Sequence, residues 1–396
     1  MIHCNYVRGG CVMKQILKRV LVTILVACIL FSAGVTGLAA QKAQTQNTPT
    51  AADWMSSIAD NKKLYEINIP GTHDSAMANY RNSTGNYVRI FGIPVVNSGV
   101  YACTQTLTVK EQLEAGVRFF DLRFSPKSGE LRLCHGDLDD VKTVNTALKW
   151  LNLLRPELIF ADFVGIPFVG LDTEFYAYED KECTIPSTFE TVTRQVKAFL
   201  QAHPGETVII KMKRENGAAE DYLPLLKAGI DGLKKEVNPA TGKPYLYTQN
   251  NSKCYTEMPT LGTTRGQMIL LCPDYEQLDC GGNLETYNGT GMAEFMGMYF
   301  NFHNHWDIGA EEKIGEVKAF IKENARDLKN GEKAQYGSVL YTSSNVVMKQ
   351  TPAQIEKTVS KWLFADGTLK SGHFYGWFLS DFITAEKSKA IWRTNF

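Results

Sequence analysis

The sequence predicts an α/β fold in which a largely parallel sheet closes into a barrel, and three observations carry that expectation. Eight short runs rich in β-branched and aromatic residues recur along the chain, at 64–69, 117–124, 131–134, 207–213, 268–272, 298–302, 338–342 and 375–382. Helix-compatible stretches separate most of them, the pattern of strands that cross over to parallel neighbours. The 396 residues are 44% hydrophobic, enough for one large core, and α/β barrels commonly use ~250 residues as a single unit.

At the N-terminus, residues 1–40 hold Arg8, Lys14, Lys18 and Arg19 and no acidic residue. Three of these cations precede an apolar run at 20–31 and small residues ending in Gly37-Leu38-Ala39-Ala40, the order of a secretory signal. The run is shorter than the ~20 residues a spanning helix needs. Residues 1–40 are therefore expected to be a signal peptide, starting at Met1 or Met13, and the protein to be secreted. The alternative is a retained anchor carrying a lipid on Cys28. Residues 41–53 are small and polar, cannot bury enough surface to order themselves, and are expected to be a flexible linker ahead of a catalytic unit at 54–396.

Lys+Arg and Asp+Glu balance at 42 each, so the basic footprint of a nucleic-acid binder is missing. Taking the four N-terminal cations from the 42 leaves 38 basic against 42 acidic groups, a mature charge near −4. Six of the nine cysteines lie beyond residue 40, where export permits disulfides without requiring them. None has the C-x2-C spacing of a metal site. Cys134 and Cys272 sit in apolar runs as buried thiols, and Cys254 with Cys280 is a candidate loop pair.

Helices are predicted at 108–115, 188–201 and 310–328, the last two with apolar residues at three- and four-residue spacing. In parallel barrels the chemistry gathers at the C-terminal ends of the strands. Four runs end there in reactive groups: Ile69-Pro70-Gly71-Thr72-His73-Asp74-Ser75, Phe120-Asp121-Leu122-Arg123, Leu133-Cys134-His135-Gly136 and Leu379-Ser380-Asp381. Two histidines, an arginine and several carboxylates are thus expected at one mouth.

Pro-Gly-Thr-His-Asp-Ser, Phe-Asp-Leu-Arg and Cys-His-Gly, in that order, resemble the catalytic half of bacterial phosphatidylinositol-specific phospholipases C. The resemblance runs from about Tyr65 to Phe382. It implies a single irregular (β/α)8 barrel of the triosephosphate-isomerase (TIM) type, a phosphorus–oxygen lyase that cleaves phosphatidylinositol or a glycosylated anchor to diacylglycerol and inositol 1,2-cyclic phosphate, with no metal and no other cofactor. It also implies a monomer that meets its substrate peripherally, at a membrane surface.

That reaction needs a base on the inositol 2-hydroxyl, an acid on the departing glycerol oxygen and a cation beside the phosphate. Histidine suits both proton roles. By the resemblance, His73 paired with Asp381 is the base, His135 assisted by Asp74 is the acid, and Arg123 makes the two-pronged phosphate contact that lysine makes less well. In the animal relatives a calcium ion stands where the arginine does here. Asp381 could instead cap a helix beginning at Phe382, and Asp121, placed in the substrate site, could instead pin Arg123.

Lys213 lies where the family places a headgroup lysine. The fifth strand, however, ends in Cys272-Pro273-Asp274 where an arginine is common, and the sixth gives His303-Asn304-His305-Trp306 in place of an acidic residue and a tyrosine. Asn304 can still bond a hydroxyl and Trp306 can stack on a ring. His303 and His305 lack a third ligand for a metal. An insertion at about 138–186 carries apolar stretches at 163–168 and 175–178, read as an extra buried hairpin or as a lip entering the lipid interface. Two other classes remain: a secreted barrel acting on glycerophosphodiesters, whose chemistry normally needs a carboxylate-bound metal, and a catalytically silent lipid- or glycan-binding barrel.

Overall fold

The computed structural model describes residues 48–81, 87–90, 93–97, 99–136, 174–249, 254–346 and 349–396. The predicted signal peptide, most of the linker and the 163–168 stretch lie outside the described residues. The compact unit runs from Thr50 to Phe396.

Seven parallel strands form the body. They are β1 (Ile69–Thr72), β2 (Phe119–Lys127), β5 (Val208–Arg214), β6 (Met268–Leu271), β8 (Met298–His303), β9 (Gly337–Tyr341) and β10 (Trp377–Ser380), in the order β6-β5-β2-β1-β10-β9-β8. β7 (Thr290–Phe295) runs antiparallel to β8 at one end of this ribbon. Among the described residues no ladder joins β6 to β7, so the predicted closure is incomplete there; Leu271 meets only an isolated bridge to Gly282 on that side.

The strand runs are apolar at nearly every position because both faces of a parallel sheet are covered. Phe119, Val339 and Trp377 turn into the barrel, where the Trp377 ring meets Phe119 and Phe300 at centroid distances of 5.5 and 5.0 Å. Their neighbours Phe120, Leu340 and Phe378 turn outward. Phe120 shares a core with Val196 and Leu226 of helices α2 (Phe189–Ala202) and α3 (Ala219–Lys235). Leu340 and Phe378 share one with Val317 and Val359 of α4 (Ala310–Asn324) and α5 (Pro352–Leu363). The short α1 (Val109–Glu114) is fixed at its start by Thr108 and Glu111, each side chain accepting from the other's backbone N–H.

Several expectations are corrected. The 64–69 run is a 3-10 turn at Leu64–Glu66, and β1 starts only at Ile69. The helix predicted to reach 328 stops at Asn324, because Arg326–Asp327 pairs with His373–Phe374 and Asp327 caps the next turn. β3 (Glu130–His135) is not a parallel third strand but folds back antiparallel on β2. Ser128-Gly129, both at positive φ (54° and 79°), make the tight turn whose twist suits a hairpin. β4 (Phe175–Ala177) then pairs with β3, and Phe175, Tyr176 and Ala177 are buried. The 175–177 stretch is therefore part of a sheet and not a lipid-facing lip. Cys280 is a buried thiol, so the candidate Cys254–Cys280 disulfide is not formed.

Gly71 lies where β1, β2 and β10 crowd together. A Cβ there would come within 2.7 Å of the Phe378 carbonyl oxygen and 2.9 Å of Phe119 Cβ. Gly71→Ala is expected to destabilise the barrel by about 1–3 kcal/mol, the ordinary cost of overpacking, read as a lower urea midpoint at unchanged slope.

Candidate active site

The mouth is assembled from the ends of neighbouring strands. β1 and β10 pair in parallel with Thr72 opposite Ser380, so the residues that follow, His73 and Asp381, leave the sheet side by side. His73 Nδ1 lies 2.9 Å from Asp381 Oδ1. Asp381 is thus committed to the imidazole and caps no helix: the last helix, α6 (Ala385–Trp392), is capped by Thr384.

The backbone at this point is unusual. Asp74 and Phe382, each next to a member of the pair, both sit at positive φ (41° and 45°), a region costly for residues with a Cβ. The dipeptide Thr104-Gln105 holds both. Thr104 Oγ1 donates to the Asp74 carbonyl at 3.0 Å, and the Thr104 carbonyl accepts from Phe382 N at 2.6 Å. Gln105, fully buried, donates to the carbonyls of His73 (2.8 Å) and Ser380 (2.9 Å) and accepts from Ile383 N (3.2 Å). Lys387 bonds the Phe382 carbonyl at 2.9 Å, anchored in turn on Glu356 at 2.9 Å.

Arg123, inward-facing on β2, stands at the centre. Its Nε bonds Asp74 Oδ1, its Nη2 lies 2.8 Å from His73 Nε2 and 3.9 Å from Asp121 Oδ2, and its Nη1 lies 3.5 Å from Glu215 Oε1. On the far side, His135 at the end of β3 places Nδ1 2.9 Å from Asp74 Oδ2 and 3.5 Å from Glu215 Oε1. The hairpin turn of β3 brings His135 there. Glu215 also accepts from Gly136 N at 3.1 Å. The side chains of His73, Arg123 and His135 are 14%, 16% and 20% exposed, whereas Asp74 and Asp381 are at 0% and 1%, so the basic groups face the mouth over buried carboxylates.

This layering sets the charges. Burial presses His135 towards neutrality, but the charge and hydrogen bond of Asp74, with Glu215, prevail and push its pKa up to about 10. Burial likewise works against ionised Asp74, yet Arg123 and the two histidines hold it well below the usual carboxylate range. Glu215, also desolvated, is brought down to about 2 by Arg123 and His135. Burial raises Asp381, and His73 offsets this only in part. His73 has the Asp381 carboxylate at Nδ1, while its Nε2 faces the Arg123 guanidinium at 2.8 Å and Asp74 Oδ2 at 3.4 Å.

The structure therefore brings together His73, Asp74, Asp121, Arg123, His135 and Asp381. Atoms of His73, Asp74 and Asp121 lie within 4.8 Å of one another, as metal ligands would. The Arg123 guanidinium reaches all three and already supplies the cation there. Lys213 stands at the rim, 53% exposed, its Nζ 3.9 Å from Glu215 Oε2. Asn304 donates to Thr286 Oγ1 at 3.2 Å, whereas Trp306 is 42% exposed and tied to Asn288 through its backbone. His303 and His305 share Glu316, at 2.8 and 3.1 Å, a carboxylate on α4. Glu215, Gln105 and the pair Lys211 with Tyr341 were missed from sequence. Strand alternation offered a signal for two of them, since 211 and 213 fall on one face of β5 and 215, the residue after its end, continues the alternation.

No family model matches the chain. It is 25% identical over 269 residues to a 1-phosphatidylinositol phosphodiesterase of Listeria monocytogenes, covering 66% of this chain and 63% of the relative. It is 41% identical over 220 residues to a protein of that name from Staphylococcus aureus strain Newman, covering 55% of this chain and 49% of the relative. In structure, a S. aureus phosphatidylinositol-specific phospholipase C matches 88% of this chain and 98% of its own with a TM-score of 0.59 at 16% identity. The Listeria phospholipase structure matches 88% and 99% with a TM-score of 0.56 at 19% identity.

The chain is similar in sequence to bacterial 1-phosphatidylinositol phosphodiesterases and in fold to bacterial phosphatidylinositol-specific phospholipases C. Its fold is their irregular TIM-type barrel. The matched segments span just under two thirds of the Listeria relative and about half of the S. aureus one. A mouse PI-PLC X domain-containing protein 2 is 35% identical over 131 residues, which cover 28% of this chain and 38% of that protein.

Proposed function

We propose that this chain is a secreted, metal-independent phospholipase C that cleaves phosphatidylinositol to diacylglycerol and inositol 1,2-cyclic phosphate. The observation that carries the reading is the unbroken arrangement Asp381–His73–Arg123–Asp74–His135 across one mouth. It holds a lone pair and a proton on opposite sides of a guanidinium.

In the first step the inositol 2-hydroxyl gives its proton to His73 Nε2 as its oxygen bonds to phosphorus. The phosphorus–oxygen bond to glycerol breaks, and His135 delivers its proton to that oxygen. Asp381 balances the charge arising on His73. Because Arg123 occupies His73 Nε2 in the resting site, the substrate phosphate has a second task, drawing the guanidinium off the base as it binds. A water then opens the cyclic phosphate with the two histidines in exchanged roles.

Among the described residues the group that could hold the ion of the metal-dependent alternative is His73, Asp74 and Asp121, where Arg123 stands. Residues 1–40 serve secretion in this reading, and no described helix is long and apolar enough to cross a membrane. The test is to mix the purified protein with phosphatidylinositol vesicles in excess chelator and follow phosphorus NMR. Cyclic inositol phosphate should appear first and inositol phosphate more slowly. Inositol phosphate with no cyclic precursor, or turnover abolished by chelator, contradicts the mechanism.

A further inference from the structure

Lys387 is a mostly buried cation that the mechanism leaves unused, and it stands in the first turn of α6, where the helix dipole disfavours positive charge. Its Nζ reaches inwards and donates to the Phe382 carbonyl at 2.9 Å and to Glu356 Oε1 at 2.9 Å. Glu356, on α5 and 2% exposed, also accepts from Thr342 Oγ1 at 3.3 Å and from Ser360 Oγ. A buried ion pair contributes little to stability once the desolvation of both charges is counted. Here burial prevails over Lys387 and Ser360 and pushes the Glu356 carboxyl up to about 7. The pair is a poor staple for the fold, so what it holds in place matters more.

It holds the backbone that follows Asp381. Phe382 has a φ of 45°, which a residue with a Cβ keeps only where its surroundings over-determine it. Its N–H is tied to the Thr104 carbonyl at 2.6 Å. The next peptide is tied at both ends, the Phe382 carbonyl to Lys387 and the Ile383 N–H to Gln105 Oε1 at 3.2 Å. Lys387 and Glu356 thus bring a restraint from the helices outside the barrel onto the residue beside the carboxylate that meets His73 Nδ1 at 2.9 Å. With that restraint cut, Phe382 can relax towards negative φ, which turns the peptide between 381 and 382 and swings the Asp381 side chain. A misplacement of about 1 Å in a catalytic group can cost ~10²-fold in rate.

We propose that Lys387, anchored by Glu356, is a positioning residue for the base: by holding the Phe382 carbonyl it keeps the Asp381 carboxylate on His73 Nδ1. It acts through the backbone at 381–383 and not on the substrate. This assignment rests on the phospholipase reading above, in which His73 takes the proton of the ring hydroxyl.

The experiment compares the full chain with the double variant Lys387→Met/Glu356→Gln, with Lys387→Arg, with Asp381→Asn, and with the double variant placed in the Asp381→Asn background, on a soluble short-chain phosphatidylinositol. Removing both partners together leaves no unpaired buried charge behind. The double variant should lose roughly ten- to hundredfold in kcat with KM little changed. Lys387→Arg keeps a charged donor and should retain most of the activity. In the Asp381→Asn background the same two changes should cost far less, because the carboxylate they position is gone, whereas a merely structural loss would add in full. The NMR resonance of the proton between His73 Nδ1 and Asp381 should shift or broaden in the double variant and persist in Lys387→Arg. Glu356→Gln alone, which keeps an amide oxygen for Lys387, should lower kcat in the same direction by less, and it serves if the double variant fails to fold. An unchanged kcat, or an equal loss with and without the Asp381 carboxylate, overturns the proposal. If the unmodified protein cleaves no phosphatidylinositol, the phospholipase reading fails by itself. The Nδ1 resonance then decides: altered in the double variant it upholds the positioning role, and unchanged it overturns it.

Discussion

His73→Ala and His135→Ala should each lower turnover by at least ~10²-fold on phosphatidylinositol, the low end for loss of a general acid or base. Both rings are partly exposed and are held by side-chain carboxylates, so the fold should survive and melting should shift little. The two variants separate on a substrate analogue whose leaving group departs without a proton. There the His135 defect should shrink and the His73 defect should persist, because His73 still has to deprotonate the ring hydroxyl. Equal defects on the analogue would refute the division of roles.

The same pair predicts a pH profile. His135 acts as an acid only while protonated, and its pKa stands at about 10, so the alkaline limb of kcat/KM should lie near pH 10 and not near the ordinary histidine value. Asp74→Asn removes the main charge that holds this proton, leaving burial and Arg123 to press the pKa down, so the limb should move to lower pH. The stability consequence has the same sign. The raised His135 contributes stability fully present below its unfolded pKa and lost as pH rises through about 10. Asp74, depressed in the fold, contributes stability present above the ordinary carboxylate range and lost as pH falls through its lowered pKa.

Arg123→Lys should be nearly as damaging as loss of a histidine although the charge is kept. The guanidinium meets Asp74, His73 and Glu215 through three different nitrogens, and an ammonium on a flexible stem cannot hold that spread while also bonding a phosphate. Removing one preorganised donor from a developing anion costs ~10²–10³ in kcat, and here the loss extends to the orientation of both neighbours. Arg123→Asp makes the sharper test. It leaves Asp74, Asp121, Glu215 and the new carboxylate around one position, an oxygen set suited to calcium. That variant should be inactive in chelator and gain activity with added calcium, while the unmodified protein responds to neither.

The apolar runs of the sequence by themselves determined that a covered, mostly parallel sheet would form, because alternating residues of each run had to be buried on both faces. They also placed His73, Asp74, His135 and Asp381 at strand ends, since a strand end is a local property, whereas Arg123, expected at one, lies in the middle of β2. What local pattern could not supply was the identity of each neighbour. Ser128-Gly129 decides whether the third run crosses over or turns back, and that choice sends His135 against Asp74 and Glu215 and buries the 175–177 stretch. The register of β5 against β2 decides that Lys211 and not Lys213 lies beneath Arg123, a matter of two residues on one face that periodicity treats as equal. Gln105 was invisible for a related reason: its three bonds go to backbone groups of residues 73, 380 and 383, distant in sequence and adjacent only once the first and last strands pair.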